Sequence, residues 1–244
     1  MASSDELPGA YPARGNLPPG DPTTMKTMMI DKGASMIQSL KPIKQMSLHL
    51  CSFACYGHDP SRQIEVQFYV HRVNEDFLQC AVYDCETSKT HLIGIEYIVS
   101  ERLFESLSSE EQTLWHSHDY EIQTGLLITP RVPELVAKPE LQNIAKTYGK
   151  FWCTWQTDRG DKLPLGAPAL MMSPQDVNMG KIKPGLLKKR DDEYGISTEA
   201  LKSSRVGIMG PERKNPMADY WVHHGKGLAV DIVETEMKKS APFP

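Results

Sequence analysis

The stretch Q-I-E-V-Q-F-Y-V-H-R, residues 63–72, decides the fold class. Aliphatic residues and Phe occupy every second position with Glu, Gln, Tyr and His between them, a period of two that is typical of a half-buried β-strand. The stretches 77–84 and 91–99 follow after turn residues at 74–76 and 86–89. Short links between consecutive strands favour antiparallel hairpins over crossover connections. With an earlier strand at about 47–56, these segments predict an antiparallel sheet.

Helices are predicted beside the later strands. Residues 100–115 have helical character, with Ser108 or Ser109 placed to cap the turn that contains Glu110 and Glu111. A second helix is predicted at about 139–148, between strands near 120–128 and 151–157. The predicted fold class is α+β, a central antiparallel sheet of about five to six strands with flanking helices.

Composition divides the chain into four parts. Residues 1–22 are rich in Pro and Gly and predict a disordered tail, and residues 23–44 predict a Met-rich amphipathic helix. The α+β core is expected at 45–160. Residues 161–244 predict a loop-rich C-terminal extension with a candidate amphipathic end.

Charge and cysteine content exclude several classes of function. The net charge of −4 supplies no general basic field for a nucleic acid. The five cysteines cannot all pair, and the start M-A-S-S-D-E-L-P lacks the pattern of a signal peptide, so we expect a cytosolic protein that is not secreted. The longest apolar stretch, at about 92–99, is far shorter than the roughly 20 residues that a membrane-spanning helix needs.

The sequence lacks the short motifs of several familiar enzyme classes. It contains no G-x-S-x-G, no G-x-G-x-x-G and no P-loop, so neither a serine nucleophile elbow nor these nucleotide-binding loops are predicted. A zinc site could be drawn from Cys51, Cys55, His58, Cys80 and Cys85, but paired C-x-x-C units are missing. Packing of the cysteines as small buried residues is the favoured interpretation.

Residues 114–121, L-W-H-S-H-D-Y-E, contain the candidate metal site. On an extended segment, His116 and His118 point to the same side and can reach one ion. A third ligand is expected from Glu96, which interrupts an apolar strand, or from His71 or His49. The alternative, which the sequence alone favours, is that both histidines cap the preceding helix and pair with a nearby carboxylate or solvent. No organic cofactor is expected, and a divalent metal ion is the candidate that stays open.

Two segments are candidates for contact with a lipid surface. In the Met-rich helix, one apolar stripe recurs at helical spacing near four lysines, and its members are Met25, Met28, Met29, Met36, Ile37 and Leu40. Towards the C-terminus, Tyr220 and Trp221 are residue types that favour a polar–apolar boundary. An apolar face follows them if the segment that contains Leu228 and Ile232 is helical. The alternative for both segments is a helix that packs on its own domain.

Six stretches together carry a family resemblance: H-L-C-S-F-A-C-Y (49–56), S-R-Q-I-E-V-Q-F-Y (61–69), V-N-E-D-F-L-Q-C-A-V-Y-D (73–84), L-I-G-I-E-Y-I-V-S (92–100), L-W-H-S-H-D-Y-E (114–121) and Y-G-K-F-W-C-T-W-Q (148–156). In this order they resemble the plant oil body-associated proteins, a family first described as a domain of unknown function, with bacterial and fungal relatives. The resemblance covers nearly everything from about residue 25 onward.

The resemblance implies localisation to the surface of seed lipid droplets, or oil bodies, and to the cytosol, with a part in droplet size or stability. The implied partners are the phospholipid monolayer of the droplet or its coat proteins, bound peripherally. No catalytic residue is implied. Two hypotheses therefore stand: a non-enzymatic lipid-droplet protein, or a metal-dependent enzyme or its descendant that uses the His-x-His site.

Overall fold

In the computed structural model, which describes residues 18–87, 89–177 and 181–236, helices surround an antiparallel sheet. The predicted disordered tail falls outside the described residues as far as residue 17, and residues 18–22 contain neither helix nor strand. The strands are β1 (Leu48–Tyr56), β2 (Asp59–Asn74), β3 (Phe77–Tyr83), β4 (Leu92–Ser100), β5 (His116–Ser117), β6 (Thr147–Cys153) and β7 (Ala169–Met172). The α-helices are α1 (Met25–Ile37), α2 (Lys41–Lys44), α3 (Glu101–Glu105), α4 (Ser109–Gln112), α5 (Asp119–Gln123), α6 (Glu134–Ile144), α7 (Pro184–Tyr194), α8 (Thr198–Ser204) and α9 (Tyr220–His224).

The sheet closes on itself as a barrel. Neighbouring strands follow the order β4-β3-β2-β1-β7-β6, and β4 also pairs with β6, from Gly94 opposite Cys153 to Ser100 opposite Thr147. All of these pairings are antiparallel. The four strands predicted between residues 47 and 99 are confirmed as β1 to β4. The sequence does not predict closure, because the β4–β6 pairing joins segments that are about 50 residues apart.

Alternation along the strands fills the barrel interior with apolar side chains. The interior cluster includes Leu50, Ala54, Ile64, Val66, Phe68, Val70, Cys80, Val82, Ile98 and Phe151. The helices α5 and α6 add Ile122, Leu141 and Ile144 to this cluster, so they cover the interior where the strands leave it open. Because the interior is a packed apolar core, a polar side chain that points into it requires a partner.

A seam between β1 and β6 is spanned only in part by β7. That short strand pairs with two residues of β1 and with residues 151–153 of β6. The rest of the gap is occupied by residues 116–128, which we call the seam segment. At one end His116 and Ser117 pair with β6, and at the other Ile128 exchanges two backbone hydrogen bonds with Cys51 of β1.

The seam segment is also where a predicted element is wrong. In place of the strand predicted near 120–128, residues 119–123 form α5, and Gly125 follows with a φ of 76°. Asp119 and Glu121 in the first turn favour a helix N-terminus, and glycine permits the left-handed backbone that ends the turn. The helix predicted at 139–148 runs over Glu134–Ile144 instead.

Two buried arginines attach the C-terminal helices to the seam segment. Arg190 of α7 donates to the backbone carbonyls of residues 125 and 126, and Arg205, directly after α8, donates to those of residues 122 and 127. Asp191 and Glu134 pair with the two guanidinium groups. The sequence predicts only short elements after residue 160. The structure shows that α7 and α8 are attached to residues 122–127 of the seam segment by these hydrogen bonds.

Candidate functional site

His116 and His118 both point into the barrel interior, on either side of Ser117. The backbone N–H and the hydroxyl of Ser117 donate to the Asp219 carboxylate over 3.1 and 2.7 Å on the opposite side of the strand. Asp219 is itself buried and has a φ of 53°, an uncommon backbone conformation for a residue other than glycine. This contact fixes the strand, and with it the direction of both imidazoles.

Glu96 of β4 faces the two imidazoles. Its Oε1 lies 3.1 Å from His116 Nε2 and 3.3 Å from His118 Nε2, and the two rings are perpendicular. The three side chains are 2–4% exposed. Among the residues that the structure describes, they are the only three His, Cys, Asp or Glu side chains whose ligand atoms lie within 4.8 Å of one another. We call them the Glu-His-His cluster.

The hydrogen bonds around His118 define which ring nitrogen carries a proton. Thr147 has a single hydroxyl proton, which it donates to the Ile144 carbonyl over 2.7 Å. Its Oγ1 must therefore accept the hydrogen bond from His118 Nδ1, which is 2.9 Å away. In the neutral ring, Nε2 then presents a lone pair to the Glu96 carboxylate. Two electron pairs at 3.3 Å repel, so this position requires a positive charge, either a proton or a metal ion.

Burial and mutual contact shift the proton affinities of the cluster in opposite directions. Burial alone would raise the pKa of Glu96, but the hydrogen bonds from His116 and His118 outweigh it and lower the pKa to about 2. Burial lowers the pKa of His118, and its contacts with Glu96 and with the nearby Glu121 more than reverse that effect. The pKa of Glu121 is raised, chiefly by burial. Glu121 accepts a short hydrogen bond from Ser52 of β1.

The cluster fits closely against Gly149 of β6. A Cβ at this position would lie 2.1 Å from Glu96 Oε1 and 2.7 Å from Nε2 of each histidine, well inside contact distance. Any other residue here would push the three ligand atoms away. The adjoining cavity is about 10 Å³, is lined by the cluster, Glu121 and apolar side chains such as Leu50, and has space for about one water molecule.

The other sequence-predicted ligands lie elsewhere. His49 projects from the outer face of β1, where its ring stacks on Tyr69 and its Nε2 contacts Gln67 at 2.8 Å. His71, on β2, contacts Gln79 at 2.9 Å. Neither histidine reaches the Glu-His-His cluster. The five cysteines are free thiols, and all but Cys85 are buried.

The Met-rich helix α1 presents its predicted apolar stripe to solvent. No residue of α1 is buried. The exposed fractions are 71% for Met25, 50% for Met28, 71% for Met29, 80% for Met36, 87% for Ile37 and 42% for Leu40 in the following link. At 100° per residue, the four methionines fall within an arc of about 100°. Within the described residues, no helix combines the length and apolar composition needed to cross a bilayer.

At the C-terminal candidate surface the two aromatic residues have different environments. Trp221 is 3% exposed and packs with Cys55, Leu170 and Met172 outside the barrel. Tyr220 is partly exposed and stacks on His224. Residues 226–236 contain no helix, so the apolar face predicted there does not form within the described residues, and residues 237–244 lie outside them.

Sequence reasoning missed the residues that support the cluster. Gly149, Thr147 and Asp219 are distant in sequence from the His-x-His motif and carry no motif of their own. Ser52 gave no signal either, whereas the sequence placed Glu121 near the two histidines as a carboxylate that could support them. The one usable signal was a polar side chain in an apolar strand, and it identified Glu96.

Comparison with known proteins gives the family of this chain. A family model described as a protein of unknown function (DUF1264) matches residues 40–209. Oil body-associated protein 2A of Arabidopsis thaliana is 87% identical over the full length of both chains, and the Zea mays protein of that name is 54% identical, also over the full length of both. The chain belongs to the oil body-associated protein family.

More distant members of the oil body-associated family share the same extent. Oil body-associated protein 1B of Arabidopsis thaliana is 39% identical over 90% of each chain. No solved structure matches the chain. The family model covers the Glu-His-His cluster and the seam segment but begins after α1. The family resemblance expected from the six sequence stretches is thereby confirmed.

Proposed function

We propose that this protein binds peripherally to the oil-body surface through α1 and contributes to droplet stability. The observation that supports the proposal most directly is the exposure of α1, whose apolar stripe has no partner among the described residues of the chain. A helix packed on its own domain, the alternative considered for this segment, would bury that stripe. The oil body is proposed as the surface that α1 binds because each of these relatives is named oil body-associated.

Two forces would act on α1 at a phospholipid monolayer. Each large apolar side chain gains roughly 1.5–3 kcal/mol on full burial, and each lysine near an anionic surface adds about 1 kcal/mol. Residues 23–44 carry Lys26, Lys32, Lys41 and Lys44 against Asp31, a local charge of +3. Attraction to headgroups would orient the helix, and insertion of the methionines would hold it.

The charge of the rest of the chain suggests how bound protein would stabilise droplets. The whole chain carries −4 and residues 23–44 carry +3, so the remaining residues carry −7. If α1 faces the lipid, this negative part faces the water. Coated droplets would then repel one another at low salt, and the folded barrel would keep their monolayers apart.

Flotation of the purified full-length chain with artificial triacylglycerol droplets tests the proposal. Droplets coated with phosphatidylcholine alone are compared with droplets that also contain phosphatidylserine. We expect the protein to float, more strongly with the anionic lipid, and to be released by high salt or carbonate. Recovery of all the protein in the aqueous layer with both lipids would refute direct binding to lipid.

A lysine-to-glutamine series separates the role of α1 from a general charge effect. Changing the four lysines of residues 23–44 to Gln is expected to remove the preference for anionic droplets and to increase droplet size over time, measured by light scattering. The matched control changes four exposed lysines elsewhere: Lys162, Lys188, Lys202 and Lys226. Equal loss in both variants would contradict a specific role for α1.

The second hypothesis, a metal-dependent enzyme or its descendant, is not favoured. The names of the relatives describe no reaction. The cavity beside the Glu-His-His cluster, at about 10 Å³, is far smaller than the roughly 300–1,000 Å³ of typical small-molecule sites.

A further inference from the structure

The Glu-His-His cluster links the closed sheet to the seam segment. Glu96 belongs to β4, a long strand of the closed sheet, whereas His116 and His118 belong to the seam segment. β5 contributes only two paired residues, so backbone hydrogen bonds hold this segment weakly to the barrel. β6 lies between β4 and the seam segment. A link from the Glu96 side chain to the two histidines would therefore pass over β6 and connect the segment to β4.

The protein atoms alone leave the cluster incompletely paired. Thr147 fixes a proton on His118 Nδ1, so Nε2 needs either a second proton or a metal ion between it and the Glu96 carboxylate. His116 Nδ1 is buried and has no hydrogen-bond partner among the described residues. If His116 Nε2 carries the proton, Nδ1 is an unpaired acceptor; if Nδ1 carries it, a second lone pair faces Glu96. A metal ion fits only the second arrangement, in which both Nε2 lone pairs and the Glu96 carboxylate point at the ion and the proton of His116 stays on Nδ1.

The ligand set has the chemistry of a transition-metal site. Two imidazole nitrogens and one carboxylate oxygen suit Zn²⁺ and related divalent ions of the first transition row. The Thr147 contact to His118 Nδ1 is the outer hydrogen bond that commonly orients a metal-bound histidine. Gly149 provides the close approach of β6 that lets the three side chains converge, and the cavity has space for one water as a further ligand.

We propose that Glu96, His116 and His118 bind one divalent transition-metal ion, and that this ion fastens the seam segment to the barrel. The role is structural, because the cavity beside the site has space for only about one water and, apart from the three ligands, Glu121 and Ser173, is lined by apolar core residues. This proposal is independent of the lipid-binding proposal, since α1 lies outside the barrel and contributes no ligand.

Metal analysis of the full-length chain, purified without an affinity tag, tests binding. We expect about one equivalent of a first-row metal per chain. After removal by a chelator, addition of Zn²⁺ at about 100 times its Kd should raise Tm by about 5 to 10 °C. Co²⁺ should bind the metal-free protein with visible d–d absorption from nitrogen and oxygen ligands.

Four substitutions and one control locate the site. His116→Ala and His118→Ala each remove a ligand atom, and Glu96→Gln replaces the charged carboxylate by a neutral, weakly ligating amide. Gly149→Ala leaves all three ligands but fills the space between them. Each should lower bound metal to background and abolish the Zn²⁺-dependent shift in Tm. His71→Ala, in a histidine of the same sheet that does not reach the cluster, should behave as the unmodified chain.

Two results would overturn the proposal. The first is an unmodified chain with no stoichiometric metal and no response of Tm to Zn²⁺, Co²⁺ or Fe²⁺, a measurement that stands even if every variant misfolds. The second concerns the seam: hydrogen exchange of residues 116–128 should be faster in metal-free protein than in Zn²⁺-loaded protein. Equal exchange in the two forms would refute the structural role, whatever the flotation assay gives.

Discussion

The exposed apolar stripe of α1 gives a quantitative prediction for droplet binding. The perturbation is the triple change Met28→Ser, Met29→Ser and Ile37→Ser. These side chains are 50%, 71% and 87% exposed, so each still has most of its burial energy to gain. At roughly 2 kcal/mol for a large apolar side chain, scaled by these fractions, the three together contribute at most about 4 kcal/mol.

Binding at an interface buries only one side of a helix, so the expected loss is about half of that maximum. A loss of about 2 kcal/mol corresponds to a decrease of about thirtyfold in the partition coefficient between droplets and water. The assay is quantitative flotation over a range of lipid concentrations. Replacing the same three residues by Leu keeps the apolar area and the helix propensity, and should leave partitioning within about threefold of the original.

A matched control uses equally exposed apolar residues outside α1. Leu135, Val136 and Val206 are 85%, 67% and 81% exposed, and their replacement by Ser should not change flotation. The reasoning is refuted if the α1 serine variant partitions like the unmodified chain, or if the control variant loses binding to the same degree.

Two further predictions concern the folded barrel. Burial raises the pKa of Glu111, but the hydrogen bonds from Lys150 and Trp115 outweigh burial, so the pKa of the folded state is lower than the unfolded value of 4.5. The ionised carboxylate therefore stabilises the fold above pH 4.5, and this stabilisation is lost as the pH falls through the folded pKa. Glu111→Gln should therefore lower the free energy of unfolding by up to about 1 kcal/mol at pH 7 and by almost nothing at pH 2, measured by urea unfolding. An equal loss at both pH values would contradict a stabilising role of the ionised carboxylate. Thiol titration at pH 8 should find one fast-reacting cysteine, Cys85, in the folded chain and five in denaturant. The reason is that burial raises the pKa of the other thiols, to about 12 for Cys55 and about 11 for Cys153. Rapid reaction of a second thiol would show that the barrel opens readily.

Local patterns in the sequence were sufficient to predict β1 to β4 but not the closure of the sheet. Residues 63–72 alternate so regularly that β2 follows directly from the pattern. The four residues of β7 follow a loop-rich stretch, and a strand that short shows no period. The strand predicted near 120–128 is wrong because tertiary contacts and the turn at Gly125 make the first half of that segment helical.

The candidate metal ligands were predictable to the extent that chemistry alone could identify them. Glu96 was notable because a carboxylate in an apolar strand needs a partner, and the structure places both histidines beside it. His49 and His71 could not be separated from the set, because the direction in which each strand faces depends on the closed sheet. Gly149 was invisible, since its importance is a distance to residues on other strands.

The closed barrel has a consequence for the role proposed above at the oil-body surface. A droplet coat brings many copies side by side, which is the condition under which exposed sheet edges exchange strands and aggregate. Here β4 and β6 satisfy each other, and the seam segment covers much of the gap between β1 and β6. If the protein coats droplets as proposed, neighbouring copies would meet through side chains rather than through backbone, and the coat could be compressed and spread again without exchange of strands between copies.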